Sequence, residues 1–358
     1  MKIAIFHDYF GTVGGGEKVA IEMARILDAD IITTDIDAIK KIDQQVRVIS
    51  LGKTIKFPPL KQISATIRYY FSDFSDKYNL FIFTGNWSTA AAHRHHPNVW
   101  YCHTPVRAFY DLYKTFLARQ NFIIRQLFRF WVYFNRIFDQ HSVIKVDRIF
   151  ANSQNVQKRV LKFHNRCSDV IYPPVEISLY HCIEYGNFWL SVNRLYPEKR
   201  IDLQIEVFRQ LPKDQLIIVG GYSTGDHASQ YVEKIRKDLP SNVTLLGEVS
   251  SEEIMDLYAR CKAFICTALD EDYGITPLEA MASGKPVVAV DEGGFRETVT
   301  DKTGLLVEPS IDSLVKAIRI IGTNPERYRE ACLIRAMEFD LARFNTELKN
   351  KLLIKSSN

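Results

Sequence analysis

The chain has 358 residues, 46% of them hydrophobic, with 46 lysines and arginines against 42 aspartates and glutamates. At roughly 100 to 200 residues per domain this length accommodates two domains with cores of their own, and a net charge of +4 is too mild to argue for nucleic acid. Cys102, Cys167, Cys182, Cys261, Cys266 and Cys332 show no CxxC and no paired spacing with histidines, which disfavours zinc and reads as buried thiols in a reducing, cytosolic compartment.

In chain order, KIAIF (2–6) is a short continuous apolar run, as a strand buried on both faces would be. Its four-residue apolar core before His7 and Asp8 is too short for a signal peptide, and no apolar run long enough to span a membrane appears later. GTVGGGEKV (11–19) follows, then a helical pattern through Val19, Ala20, Met23, Ala24 and Leu27. ADIITTD (29–35), VRVISL (46–51), NLFIFTG (79–85), NVWYCHTP (98–105) and RIFANS (148–153) read as further strands, several separated by helical segments. YPPVEISLYHCIEYGN (172–187) breaks the series, because Pro173-Pro174 disfavours helix and suits an extended linker. WLSVNRL (189–195), QLIIVGG (215–221), NVTLLG (242–247), KAFICTAL (262–269) and KPVVAV (285–290) then form a second series.

The alternation predicts an α/β architecture of two doubly wound, Rossmann-like domains. They are expected over 1–172 and 187–330, with a linker over 173–186 and helices over 331–358 packed on one or both. Folds of this kind bind ligands outside the strand C-terminal edges, so a cleft between the domains is the expected site.

Three glycines, Gly14, Gly15 and Gly16, sit at the first strand-to-helix turn, but not in the GxGxxG spacing of a dinucleotide fingerprint. His103 follows the strand NVWYC, with Thr104-Pro105 bending the chain away. A lone histidine is more often structural, but its place at the crevice edge marks it. From Arg107 to Arg136 the chain carries Arg107, Lys114, Arg119, Arg125, Arg129 and Arg136 against one acid, Asp111, with aromatics such as Phe122, Trp131 and Phe134 interleaved. A basic aromatic helix can lie in a membrane interface, which would place Arg119, Arg125, Arg129 and Trp131 at a membrane or acceptor surface. It can equally bury its aromatics in the domain.

In the second series Arg194 ends the first strand and Lys199 lies five residues on, a pair of cations suited to a diphosphate. DEDYGITPLEAMASGKP (270–286) reads as a turn and a short helix, with Thr276 as N-cap, Pro277 in the first helical position and Gly284 as the stop. The helix N-terminus, Gly274, Ile275 and Thr276, offers backbone N–H groups to a phosphate. Glu279 fits a capping box with Thr276. Glu271, in the loop, has no such structural explanation and can accept hydrogen bonds from a sugar. Asp-x-Asp occurs at Asp28/Asp30, Asp35/Asp37 and Asp270/Asp272, none placed beside a glycine-rich phosphate loop as a separate metal motif.

The spacing of Glu271 and Glu279 around the YG at 273–274, the Arg194 to Lys199 spacing, and EAMASGKPVVAVDEGGFRETV resemble retaining glycosyltransferases of family four, which have the GT-B fold. The resemblance runs through most of the C-terminal half. It implies that Glu279 binds the ribose hydroxyls, Glu271 approaches the transferred sugar, and Arg194 and Lys199 clamp the diphosphate. It also implies that Gly14 and Gly15 approach the donor diphosphate and that His103 contacts the donor sugar. HDY followed by GGxE, then YCHTPxRxxYD, is similar to the subgroup of O-antigen mannosyltransferases that use GDP-mannose, although Gly16 stands where that subgroup often has alanine.

On this reading the protein transfers a hexose, mannose from GDP-mannose being the first choice, to a hydroxyl of a glycan or lipid-linked acceptor in surface polysaccharide or glycolipid synthesis. The anomeric configuration is retained, and the family is described as using front-side attack assisted by the departing phosphate. Arg194, Lys199 and a helix N-terminus can stabilise that leaving group, so no metal or other cofactor is expected. The expected location is the cytoplasm, peripheral on an anionic inner membrane face, with no nucleic-acid partner. The alternatives are a 2-epimerase or hydrolase of nucleotide sugars on the same fold, or a non-catalytic sugar-nucleotide-binding subunit.

Overall fold

A computed structural model describes residues 1–10, 14–36, 45–222 and 228–353. It resolves into two compact units, Met1–Tyr172 with the chain from Asn345 onward, and Pro173–Phe344. The segment read as a linker therefore belongs to the second unit, where Ile183 N–H bonds the Ala259 carbonyl and the Tyr185 hydroxyl bonds the Gly284 carbonyl at 2.8 Å. Asp37, one member of an Asp-x-Asp pair, lies outside the described residues.

The first unit holds seven strands: β1 (Ile3–Tyr9), β2 (Asp30–Thr34), β3 (Val48–Ser50), β4 (Leu80–Phe83), β5 (Asn98–Cys102), β6 (Arg148–Ala151) and β7 (Asp169–Val170). They lie in the order β3-β2-β1-β4-β5-β6-β7, every pair parallel. Its helices are α1 (Gly15–Leu27), α2 (Leu60–Phe71), α3 (Tyr113–Ala118), α4 (Phe122–Ile144) and α5 (Gln154–His164). The central strands are fully buried, as continuous runs in a sheet covered on both faces must be. Phe6, Phe81, Phe83, Trp100 and Tyr69 form the middle of the core.

The second unit repeats the plan with β8 (Phe188–Val192), β9 (Gln215–Val219), β10 (Val243–Gly247), β11 (Ala263–Cys266), β12 (Val287–Val290) and β13 (Gly304–Val307), in the order β10-β9-β8-β11-β12-β13, again all parallel. Its helices are α6 (Ile201–Arg209), α7 (Ala228–Lys237), α8 (Ser251–Arg260), α9 (Ile275–Ala282), α10 (Phe295–Thr298), α11 (Ile311–Thr323) and α12 (Arg329–Met337), and α13 (Leu341–Leu353) follows. Each sheet reverses its strand order beside its first strand, between β1 and β4 and between β8 and β11, the position at which open α/β sheets bind their ligands. Both α/β expectations are met. The pattern reading missed β7 and β13, two short edge strands with mostly half-exposed residues.

Of the six cysteines, Cys102, Cys261, Cys266 and Cys332 are buried, Cys182 is half-buried and Cys167 is exposed, so the buried-thiol reading holds for four. Among the described residues no helix is long and apolar enough to cross a membrane.

Candidate active site

At the β8/β11 switch point the second unit builds its site from three loops. The first leaves β8 through Arg194, which is exposed, and enters a single tight turn, Pro197–Lys199. Thr267, directly after β11, donates its hydroxyl to the Lys199 carbonyl at 2.9 Å and itself accepts from the Gln204 amide at 2.9 Å, which fixes that turn against the strand. Lys199 then reaches the Glu271 carboxylate, Nζ to Oε2, at 2.5 Å, and the side chains remain 27% and 17% exposed. The cation assigned to phosphate and the carboxylate assigned to sugar thus meet as one ion pair.

Beyond β12 the third loop carries Gly293 and Gly294. Gly293 is left-handed at φ +54°, and a Cβ there would lie 2.4 Å from the Glu271 carbonyl oxygen; one on Gly294 would lie 2.5 Å from the Tyr273 backbone. The two glycines let this loop lie directly on the Glu271 turn, where Gly294 N–H donates to the Glu271 carbonyl at 2.8 Å. Glu292 adds a second clamp that sequence reading overlooked: its carboxylate accepts from Arg200 at 2.9 Å and from the Asp270 amide at 3.1 Å. A glutamate just before a glycine pair, with an arginine just after Lys199, was the available signal.

The helix that follows the Glu271 turn starts two residues earlier than expected. Gly274, at φ +90°, is the N-cap of α9, so Thr276 lies inside the first turn and the capping box with Glu279 is not formed. The physical reason is that DYG leaves the chain in a left-handed turn that only glycine adopts cheaply, which sets the helix start ahead of Thr276. A glycine cap brings no side-chain acceptor, so the first-turn amides are not capped by it. The Gly284 stop is found as expected, at φ +69° with its N–H on the Met281 carbonyl.

Released from capping, the Glu279 carboxylate takes a hydrogen bond from the buried Tyr258 hydroxyl at 2.9 Å, and the Tyr180 hydroxyl bonds it as well. Burial, with the charge of Glu279 behind it, pushes the Tyr258 hydroxyl well above its ordinary range, so it remains a donor. Nothing in the periodicity of α8 marks Tyr258 for this role. Burial likewise raises the Cys266 thiol at the end of β11, with the negative charge of Glu271 adding to it.

In the first unit, β1 and β4 frame the corresponding edge. Glu17 accepts from the Gly14 amide at 2.9 Å and so fixes the start of α1, where Gly14 is the cap and Gly15 the first helical residue. His103, after β5, lies over this turn, its ring 3.6 Å from where a Gly16 Cβ would stand, which is ordinary van der Waals contact. The glycine turn and the histidine singled out separately in the sequence therefore meet. Alanine fits at Gly16, so its departure from the subgroup pattern has no steric cost.

Asp8 is the residue that sequence reading passed over here. Its carboxylate accepts from the amides of Asn86, Trp87 and Ser88 at 2.9, 2.9 and 2.8 Å, and so anchors the turn after β4. Burial raises it to about 6 while those amides pull the other way. Gly85 is needed beside it, since a Cβ there would lie 2.0 Å from Asp8 Oδ1.

The basic aromatic segment splits. Trp131 turns inward, its ring 4.9 Å from that of buried Phe109, and Arg125 bonds the Leu117 and Gln120 carbonyls. Arg119 lies over the Phe116 ring, and Arg129 is exposed and bonds Gln126. Asp28 closes α1 and Asp30 pairs with Arg47, while Asp35 accepts from Thr54. Among the described residues no three or more His, Cys, Asp or Glu gather in a way that could hold a metal ion.

Two parallel sheets with the same strand-order reversal, one in each unit, are the plan of the GT-B fold. Residues 183–334 match the family described as glycosyl transferases group 1, and the second unit carries that glycosyltransferase domain. The chain is 28% identical over 271 residues to the alpha-1,3/1,6-mannosyltransferase ALG2 of Dictyostelium discoideum, a match covering 63% of this chain and 62% of that one. It is 31% identical over 221 residues to the O-antigen chain mannosyltransferase RfbU of Salmonella typhimurium, covering 60% of each. The matched stretches thus span less than two thirds of these relatives. A solved structure of Anabaena HepE in complex with UDP and glucose superposes with a TM-score of 0.78 at 21% identity, over 98% of this chain and 99% of that one, which shows the fold.

Proposed function

We propose that the protein is a retaining hexosyltransferase of glycan synthesis that moves mannose from GDP-mannose to a hydroxyl of a glycan or lipid-linked acceptor. The observation that carries this is the constellation at β11 and α9. Lys199 and Glu271 are held as an ion pair by Thr267 and the glycine loop, and Glu279 is held by two tyrosine hydroxyls one helix turn past uncapped amides. In this reading the α9 amides, Arg194 and Lys199 take up charge developing on the leaving diphosphate. Glu279 accepts from the ribose hydroxyls, and Glu271 orients the transferred sugar while holding Lys199 in position. His103, against the glycine turn, contacts the donor sugar, with Gly14 and Gly15 giving close backbone approach to the diphosphate. No metal or other cofactor enters the reaction. The mannosyltransferase relatives support the sugar, and the acid-free basic stretch from Leu112 to Phe138 supports a peripheral position on the inner face of the cytoplasmic membrane.

Thermal shift against GDP, GDP-mannose, UDP, UDP-glucose and UDP-GlcNAc, each with and without EDTA, tests the reading. Ligand at 100 times its dissociation constant stabilises by about 2.7 kcal/mol, enough to raise the melting temperature visibly. Selective stabilisation by GDP and GDP-mannose, unaffected by EDTA, is the expected result. Preference for the UDP compounds, the natural second choice because the HepE structure holds UDP, would keep the glutamate roles and remove mannose. No shift with any nucleotide would overturn the reading.

A further inference from the structure

Two helices of the first unit leave apolar faces in solvent. Along α4, Ile123, Leu127, Phe130, Phe134, Ile137 and Ile144 recur at helical spacing and are all exposed, Ile123 at 71% and Phe130 at 67%. At about 1.5 Å per residue this stripe runs for roughly 30 Å. Along α2, which the sequence reading did not single out, Leu60, Ile63, Ile67 and Phe71 do the same, with Phe71 68% exposed and Phe57 leading into the helix. The helices are neighbours: the Tyr70 ring of α2 lies 6.3 Å from Phe138 of α4 and stacks at 4.4 Å on His93, the last residue of a short 3-10 helix, Ser88–His93.

Within these two segments the charge has one sign, the exposed Asp73 and Asp111 lying just outside them. Residues 53–71 contain Lys53, Lys56, Lys61 and Arg68 and no aspartate or glutamate, and 112–138 contain Lys114, Arg119, Arg125, Arg129 and Arg136 and none, although the whole chain carries only +4. We propose that α2 and α4 together form one docking face for an anionic lipid bilayer, the apolar stripes entering the interface and the exposed cations, among them Lys56, Lys114 and Arg129, meeting the headgroups. A second copy of the chain fits poorly, since two such faces would bring like charges together. The proposal deepens the peripheral-membrane part of the function proposed above.

The test is co-sedimentation of the full chain with vesicles of phosphatidylcholine alone and with added phosphatidylglycerol, neither containing acceptor. Binding to the anionic vesicles, weakened by salt, is expected. The pair Ile67→Ser with Phe71→Ser on α2 and the pair Phe130→Ser with Phe134→Ser on α4 should each weaken it about tenfold or more. All four positions are exposed, and nucleotide-induced thermal shift in the variants shows that they fold, independently of lipid. Absence of that shift in the unaltered chain would count against the donor reading alone. Three results would overturn the docking face: no preference for anionic vesicles, unchanged binding by the α2 pair, or a dimer in sedimentation velocity that the same substitutions dissociate.

Discussion

Tyr258→Phe removes one hydroxyl and leaves the ring that fills the core between α8 and α9. The hydroxyl donates to Glu279 at 2.9 Å and lies 3.4 Å from the Thr276 carbonyl. A hydrogen bond to a charged group contributes about 1.5–3 kcal/mol. Because the Tyr180 hydroxyl still holds the carboxylate, about half of this, ~1 kcal/mol, should appear as lost ligand affinity, roughly fivefold in Kd. The assay is calorimetric titration with GDP and with its 2′,3′-dideoxy analogue, which lacks the groups that Glu279 is assigned to bind. Tyr258→Phe should weaken GDP about fivefold and leave the dideoxy compound unchanged, and Glu279→Ala should show the same pattern more strongly. An equal loss for both ligands would mean that Tyr258 acts only through packing. A normal GDP affinity in Glu279→Ala would refute the ribose assignment itself.

Lys199→Ala should lower transfer about 10²- to 10³-fold, since on the proposed reading it removes a positive charge from the leaving group. Lys199→Arg should rescue little, because a planar fork cannot occupy a point charge's position against Glu271. Stability should change by no more than about 1 kcal/mol in either, as the pair is partly exposed; a large fall in Tm would assign the pair to folding instead. Gly293→Ala forces a methyl 2.4 Å from the Glu271 carbonyl at φ +54°, which should cost about 2 kcal/mol or more. Transfer should fall further than GDP affinity, since Glu279 stands on a separate helix, and equal losses would argue against a loop-specific effect. Asp139 in α4 is buried, accepts from the Tyr110 hydroxyl at 2.5 Å, and is raised from 3.8 to about 7 by that burial. A raised carboxyl favours folding below its unfolded pKa and loses that contribution as pH climbs through the folded value, so Asp139→Asn should gain stability relative to the unaltered chain between about pH 4 and 7. Melting curves across that window check this, and a constant difference between the two proteins would be the contrary result.

Much of the fold was legible because parallel strands covered on both faces are written as continuous apolar runs, and a run such as LFIF or VVAV has few other ways to fold. β7 and β13 escaped because an edge strand needs only one neighbour and little burial, and so leaves no such run. In the site, Glu271, Lys199 and Glu279 were legible as residues, but their relations were not. Thr276 to Glu279 satisfies the capping-box spacing as written, and sequence alone cannot register that the left-handed Gly274 starts α9 earlier and hands Glu279 to tyrosines from two other segments. Asp8 was invisible for a related reason. Its three partners are backbone amides some 80 positions away, and a backbone amide has no sequence signature.

The basic aromatic stretch shows where charge counting misleads. Its arginines announced an anionic partner, yet Arg125 and Arg136 spend donors on backbone carbonyls and Trp131 packs on Phe109. What faces solvent instead is the aliphatic and phenylalanine stripe of α4, joined by a second stripe on α2 that carries too few aromatics to stand out in a composition scan. Of the two readings weighed for this segment, burial in the domain holds for Trp131, while membrane contact rests on the exposed stripe along the same helix and is the docking proposed above. A long amphipathic helix with aromatics all round can pack its indole inward and still present isoleucine, leucine and phenylalanine outward. Exposure, which only the fold supplies, decides which of its residues are available to a partner.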